Sequence, residues 1–213
     1  MRPSEVGPSG RGPRRPPHPL LESRPERSVA IGVQRRKLSV AEWDRIIASG
    51  ALPEDDRVEL IDGEILQMSP IGTRHAACVA RLTTVFAPLV AQGVILWVQN
   101  PVVIADFDEP QPDVALLRPS EDAYARQRPT ADDILLLVEV ADTSLEYDHG
   151  IKVPRYAAGG VGEVWLVDLN AERVVTFREP RLDGYGVIRI AGAEDTLVPQ
   201  ALPDVPVPVT TIL

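Results

Sequence analysis

Glu139 stands inside ILLLVEVADTS, residues 134–144, surrounded by Ile134, Leu135, Leu136, Leu137, Val138 and Val140. Such a run reads as a strand buried on both faces. A carboxylate taken out of water there is costly unless it is paired, protonated or bound to a cation. Glu59 in VELI and Asp113 in PDVALL share the anomaly. Each alone reads as the outward residue of an edge strand. Together, on strands distant in sequence, they can converge at one end of a sheet, where their oxygens repel unless a hard divalent cation lies between them. Mg2+ or Mn2+ takes such ligands while retaining several waters. A cation so held polarises a phosphoryl oxygen and lowers the pKa of bound water. Lys152, one of two lysines in the chain, follows the strand of Glu139 and falls four residues from both Asp148 and Tyr156. That spacing puts the three on one helix face. An ammonium there either serves as a compact point charge where negative charge develops, or makes a surface pair with Asp148. His75, in GTRH, is either a phosphate contact or base, or a surface residue of a helix start. His18 and His149 read as solvated.

The elements that must position these residues follow from pattern. LSVAEWDRIIASG gives a helix capped by Ser39, with Glu42 completing a capping box and Gly50 near its end. RVELIDGEILQMS is two alternating runs joined at Asp62-Gly63, a hairpin signal. The orientation of Glu64 relative to Glu59 stays open. GTRHAACVARLTTVFAPLVAQG predicts a long helix with apolar positions Ala76, Val79, Ala80, Val85, Phe86 and Leu89. VILWVQ, PVVIAD, QPDVALL and ILLLVEV follow as strands. DTSLEYDHGIKVPRYAAGG predicts a helix with Thr143 as N-cap and Glu146 completing its box, kinked or split near Gly150 because Pro154 has no N–H. VGEVWLVDL is a further buried strand, RVVTFRE and GYGVIRI a trailing β pair, and VPVPVTTIL an extended end. The fold class is α/β or α+β, a sheet flanked by helices. GYG and AAGG are turns, since neither fits a strand-to-helix phosphate loop.

Composition narrows the function classes. The chain has 213 residues, 44% apolar and 25% charged, the balance of an ordinary globular domain. No apolar run approaches the length of about 18 residues that crosses a bilayer, so no membrane partner is expected. Cys78 is the only cysteine, which excludes a disulfide scaffold and fits a cytoplasmic setting. The net charge of −9 divides into +6 over residues 1–37 and −15 over the rest. The acidic body does not by itself invite polyanions. Residues 1–36, with seven of the 21 prolines, read as a disordered tail, either a basic arm for nucleic acid or a solvated extension. Residues 37–213 read as a single domain. The Arg14-Arg15 pair lacks the apolar region of an export signal.

RVELIDGEILQMSPIGTRH, EPQPDVALL and LLLVEVADTSLEYDHGIKVPRYAAGGVGEVWLVDL together resemble the Uma2 family in order and spacing, from about residue 38 to residue 180. The resemblance implies a PD-(D/E)XK nuclease fold, a restriction-endonuclease-like mixed sheet flanked by helices, and a Mg2+-dependent endonuclease acting on DNA. It makes Pro112-Asp113 the PD pair and Glu139 the second acid. The lysine expected two residues on is Ala141 here, and Lys152 in the next helix takes its place. Glu59 matches a further acid of the N-terminal hairpin, and His75 a recurrent histidine. On this reading Asp113, Glu139 and the Val140 carbonyl ligate Mg2+ or Mn2+. Glu59 assists as a ligand or through a water, and Lys152 steadies the charge at phosphorus. A homodimer would let two domains bracket a duplex. The rival is a non-catalytic module of the same fold that binds DNA or protein, favoured by the acidic body and by Ala141. A two-carboxylate glycosidase is disfavoured by an aromatic content of 5%.

Overall fold

Ser39 opens α1 (Val40–Ala48) as the pattern predicts: its hydroxyl accepts the Glu42 N–H while the Glu42 carboxylate accepts the Ser39 N–H. Such a box stabilises a helix end by about 1 kcal/mol. The structure is a computed structural model that describes residues 35–53 and 56–213. All but the last two positions of the expected tail lie outside these residues. Every element below belongs to one unit, Arg36–Leu213.

β1 (Val58–Ile61) and β2 (Glu64–Gln67) pair antiparallel across Asp62-Gly63. The φ angles there, 53° and 73°, are the left-handed pair that a type I′ hairpin requires. A Cβ on Gly63 would lie 2.6 Å from Lys37 Cβ, so glycine also lets the chain ahead of α1 cross the turn.

The main sheet has six strands in the order β3 (Ile95–Val98), β4 (Val114–Leu117), β5 (Ile134–Ala141), β6 (Glu163–Asp168), β7 (Arg173–Arg181) and β8 (Gly184–Gly192). Only β5 and β6 run parallel; the other neighbours are antiparallel. A parallel pair needs a crossover. It contains α3 (Leu145–Tyr147), a π-helical turn over Asp148–Lys152 and α4 (Val153–Ala158). The wide turn sits where the missing Pro154 N–H predicts a break, since that group would have bonded the Gly150 carbonyl in an α-helix. Ser144 stands at the start of α3 without a side-chain cap bond, so the expected Thr143–Glu146 box does not form. PVVIAD is also not a strand. Val103 and Ala105 make only isolated bridges, and Val102 and Ile104 are buried within a loop bounded by Pro101 and Pro110, which donate no ladder N–H. The expected extended end resolves into the two-residue β10 (Val207–Pro208), paired with β9 (Thr196–Leu197), and a closing 3-10 turn over Val209–Thr211.

Alternation along β5 divides the core. Leu136, Val138 and Val140 pack with Cys78, Leu82 and Phe86 of α2 (Thr73–Phe86). Leu137 and Ala141 face Val153 and Tyr156 on the other side. The inward stripe of α2 runs through Cys78, Val79, Leu82 and Phe86, while Ala76 and Ala80 are exposed. The bulkier residues win the core because burying each large side chain contributes roughly 1.5–3 kcal/mol. Glu139 has the parity of Leu137 and Ala141, so it points to the side of α4.

Candidate active site

The last pair of the β4–β5 ladder on this side is Val114 with Val138. One residue beyond it come Asp113 and Glu139, so the register brings two carboxylates distant in sequence side by side. There the ladder opens: Asp113 Oδ2 accepts the Val140 N–H at 2.9 Å in place of a backbone carbonyl. Val140 thus enters the site through its N–H. Asp113 is also held by His75 Nε2 at 3.0 Å and by the Gln99 side chain at 3.2 Å.

Glu59 arrives from β1. Its Oε2 accepts the Gln111 N–H at 3.0 Å and its Oε1 the Tyr147 hydroxyl at 3.0 Å. It is 3% exposed, so its reading as an outward edge residue does not hold. Lys152 closes the arrangement from the π turn. Its Nζ lies 2.6 Å from Glu139 Oε1, 3.3 Å from Glu59 Oε2 and 3.4 Å from the Gln111 carbonyl. Three oxygens thus surround the ammonium, at 4% exposure. Glu139 takes a second bond on the same oxygen from Tyr156. Glu139 is tolerated inside the strand because Lys152 and Tyr156 reach it. The i,i+4 pair of Lys152 with Asp148 is not what forms, because the π turn aims the ammonium at the strand. Asp148 is buried and accepts the Ser144 hydroxyl instead.

The electrostatics follow from burial and neighbours. Burial pushes the Glu139 carboxyl up to about 8, against the opposing pull of Lys152. Burial disfavours the charge on Lys152, but Glu139, Glu59 and Asp148 outweigh it and hold the ammonium above its usual value. Asp113 is half-buried, and desolvation works to raise it, yet the hydrogen bond and charge of His75 with the Val140 N–H keep it below the usual carboxylate range. The bond to Asp113 raises His75. His75 Nδ1 is the one buried side-chain nitrogen or oxygen among the described residues without a partner.

These groups line a cavity of about 440 Å³. Its walls carry five carboxylates, Glu59, Asp113, Glu139, Asp142 and Asp148, against Lys152, Arg57 and His75. Among the described residues no group of three or more His, Cys, Asp or Glu is arranged to hold a metal ion. A full protein cage is therefore not the way this site would take a cation. Paired carboxylates with room for water fit a hard divalent cation that keeps much of its hydration, and the surplus of acid is of the sign such a cation balances.

Sequence reasoning missed Tyr147, Gln99 and Gln111, and placed Tyr156 beside Lys152 without its bond to Glu139. The two tyrosines carry a signal only once the π turn is known, because regular helical spacing does not place both on the carboxylates. The glutamines act through loop geometry that no periodicity encodes.

Residues 42–210 match the Uma2 family, whose description is "Putative restriction endonuclease". The chain belongs to the Uma2 family. No curated protein matches it. Among solved structures, a "putative nuclease" from Anabaena variabilis ATCC 29413 superimposes with a TM-score of 0.65 at 15% identity, over 82% of this chain and 97% of that one. At that identity the likeness is one of fold, and the Uma2 chain has a nuclease-like mixed sheet. Among its described residues no helix is long and apolar enough to cross a membrane.

Proposed function

We propose that this chain is a divalent-metal-dependent nuclease that hydrolyses phosphodiester bonds, with DNA as substrate, Mg2+ or Mn2+ as cofactor and the cytoplasm as its setting. The observation that carries the reading is the charged Lys152 buried at the strand ends where Asp113 and Glu139 adjoin. A structural lysine at the surface costs nothing to place; one buried among carboxylates at the end of a cavity is the arrangement that functional sites favour.

Asp113 and Glu139 would hold the cation, with Glu59 and the Val140 carbonyl as further oxygens within the same wall. When bound, such a cation supplies Lewis acidity toward a phosphoryl oxygen and a more acidic water. The chain's own residues do the rest. Tyr156 and Tyr147 fix the rotamers of Glu139 and Glu59. Lys152 offers positive charge where the phosphoryl oxygens become more negative, and His75 holds Asp113 in place through Nε2.

Cleavage of labelled DNA by wild type and Lys152→Met, in Mg2+ and in Mn2+, tests the reading. Lys152→Met should slow single-turnover cleavage by tens to thousands of fold, about 2 to 4 kcal/mol; equal rates end the catalytic role. The rival, a non-catalytic module, is favoured by one observation: the Lys152 ammonium already has three protein oxygens within 3.4 Å. It expects metal-independent binding and no cleavage by wild type.

A further inference from the structure

The cavity has two unlike walls. The inner wall carries Glu59, Glu139, Asp148 and Lys152, all buried. The outer wall is the chain from β2 to α2, which brings Leu66, Met68, Pro70 and Ile71 to the same space. Between them stand only the uncharged Gln67, Ser69 and Gly72. Ile71 is 42% exposed, an isoleucine left open at the mouth of an acidic cavity.

Only two arginines stand near the mouth among the described residues. Arg57 donates to the Ser69 carbonyl at 2.8 Å. Arg74 reaches Asp142, Asn170 and the Leu169 carbonyl. Neither wall therefore offers the row of free lysines and arginines with which a protein tracks both backbones of a duplex, and the body around it carries −15. A volume of about 440 Å³ is on the scale of a small-ligand pocket rather than an open groove.

An acidic floor that balances a cation and a phosphate, facing a neutral apolar wall, suits a different object. Unpaired bases present flat apolar faces and can splay away from the strand, whereas a paired base is held in its stack. Resting on the nuclease reading above, the geometry points to single-stranded nucleic acid as the substrate class, with one unstacked nucleotide seated so that its base lies against Leu66, Met68 and Ile71. Sequence tolerance follows, because an aliphatic wall makes no hydrogen bonds with base edges and every base has an apolar face.

Fluorescence anisotropy with the full-length protein in Ca2+ tests this with three probes: a short labelled single strand, the same strand annealed to its complement, and the same strand with abasic sites. The intact single strand should bind about tenfold tighter than either of the others, the order expected from burying part of one base face on aliphatic side chains. Ile71→Ser and Met68→Ser should each weaken the intact strand and leave the abasic strand unchanged. Equal affinity for duplex and single strand, equal affinity for abasic and intact strand, or no binding of any strand overturns the inference. Cleavage of the same single strand in Mg2+ or Mn2+ reports separately on the nuclease reading: selective binding without cleavage removes that reading and leaves the base wall standing.

Discussion

Lys152 and Glu139 form a pair whose two halves should respond differently to removal. Lys152→Met leaves Glu59 and Glu139 buried without their ammonium, and breaking a buried pair in this way costs roughly 3–5 kcal/mol. Glu139→Gln leaves Lys152 with Glu59 and the Gln111 carbonyl, so it should cost far less; comparing the two melting temperatures checks the asymmetry. The pH dependence has a definite sign. The folded Glu139 carboxyl is raised to about 8 from a usual 4.5, so its contribution to stability is fully present below about pH 4.5 and is lost as pH rises through 8. Wild type should lose ground to Glu139→Gln by up to roughly 1.4 kcal/mol per pH unit across that window. Parallel melting curves from pH 5 to pH 9 would count against the raised carboxyl. The acids were legible because charge inside an aliphatic run is anomalous by itself, and Lys152 because it is one of two lysines and follows the strand of Glu139. Their partners were not, since a tyrosine in a core needs no explanation until its hydroxyl is seen to reach a carboxylate.

The hairpin and α1 were readable from local chemistry alone, from Asp62-Gly63 and from Ser39 with Glu42. Elements whose form depends on distant neighbours were not. The segment Pro101–Asp106 has the continuous apolar run of a buried strand, yet it closes on Thr130 and Asp108 as a loop. The stripe of α2 was misjudged at Ala76 and Ala80 because small residues do not show which face the sheet will select. The hairpin also yields a prediction. Gly63→Ala places a side chain at φ 73° and 2.6 Å from Lys37 Cβ. It should destabilise the chain by about 1–3 kcal/mol and, because β1 carries Glu59, reduce Mn2+-dependent cleavage as well. Calorimetric melting and cleavage rates on the same preparation check both.

Among the described residues, the C-terminal segment is tied to the middle of the chain by hydrogen bonds. Buried Glu163 accepts Trp165, Arg178 and the Gln200 N–H, and the Cys78 thiol donates to the Ile212 carbonyl at 2.9 Å. Burial pushes that thiol up to about 11, so Cys78 should resist thiol reagents near neutral pH. Removing residues 207–213 uncovers it along with the sites of Val207, Val209 and Ile212, and labelling should then accelerate; an unchanged rate would show that the segment does not cover the thiol. At the other end, residues 1–37 carry +6, and deleting 1–36 should flatten the salt dependence of nucleic-acid binding if that charge acts as an arm. The order of the six strands could not be read from sequence. Apolar runs show that strands are central, but which central strands are neighbours depends on crossovers such as the one between β5 and β6.

The π turn makes the count of residues between β5 and α4 as important as their identity. With bonds from i to i+5 in place of i to i+4, Asp148–Lys152 accommodates extra chain that an α-helix would not. Gly150 carries no side chain into the core, and a Cβ there would meet nothing within 4 Å. Its deletion would take the extra residue out of the turn, and a rotation of about 100° would part Tyr147 and Asp148 from the buried Lys152 and Tyr156. Such a protein would retain every site residue in its sequence, yet its ammonium would no longer sit on the carboxylates. Descendants of a common ancestor could therefore differ in activity through an insertion or deletion of a single codon, with no substitution to mark the change.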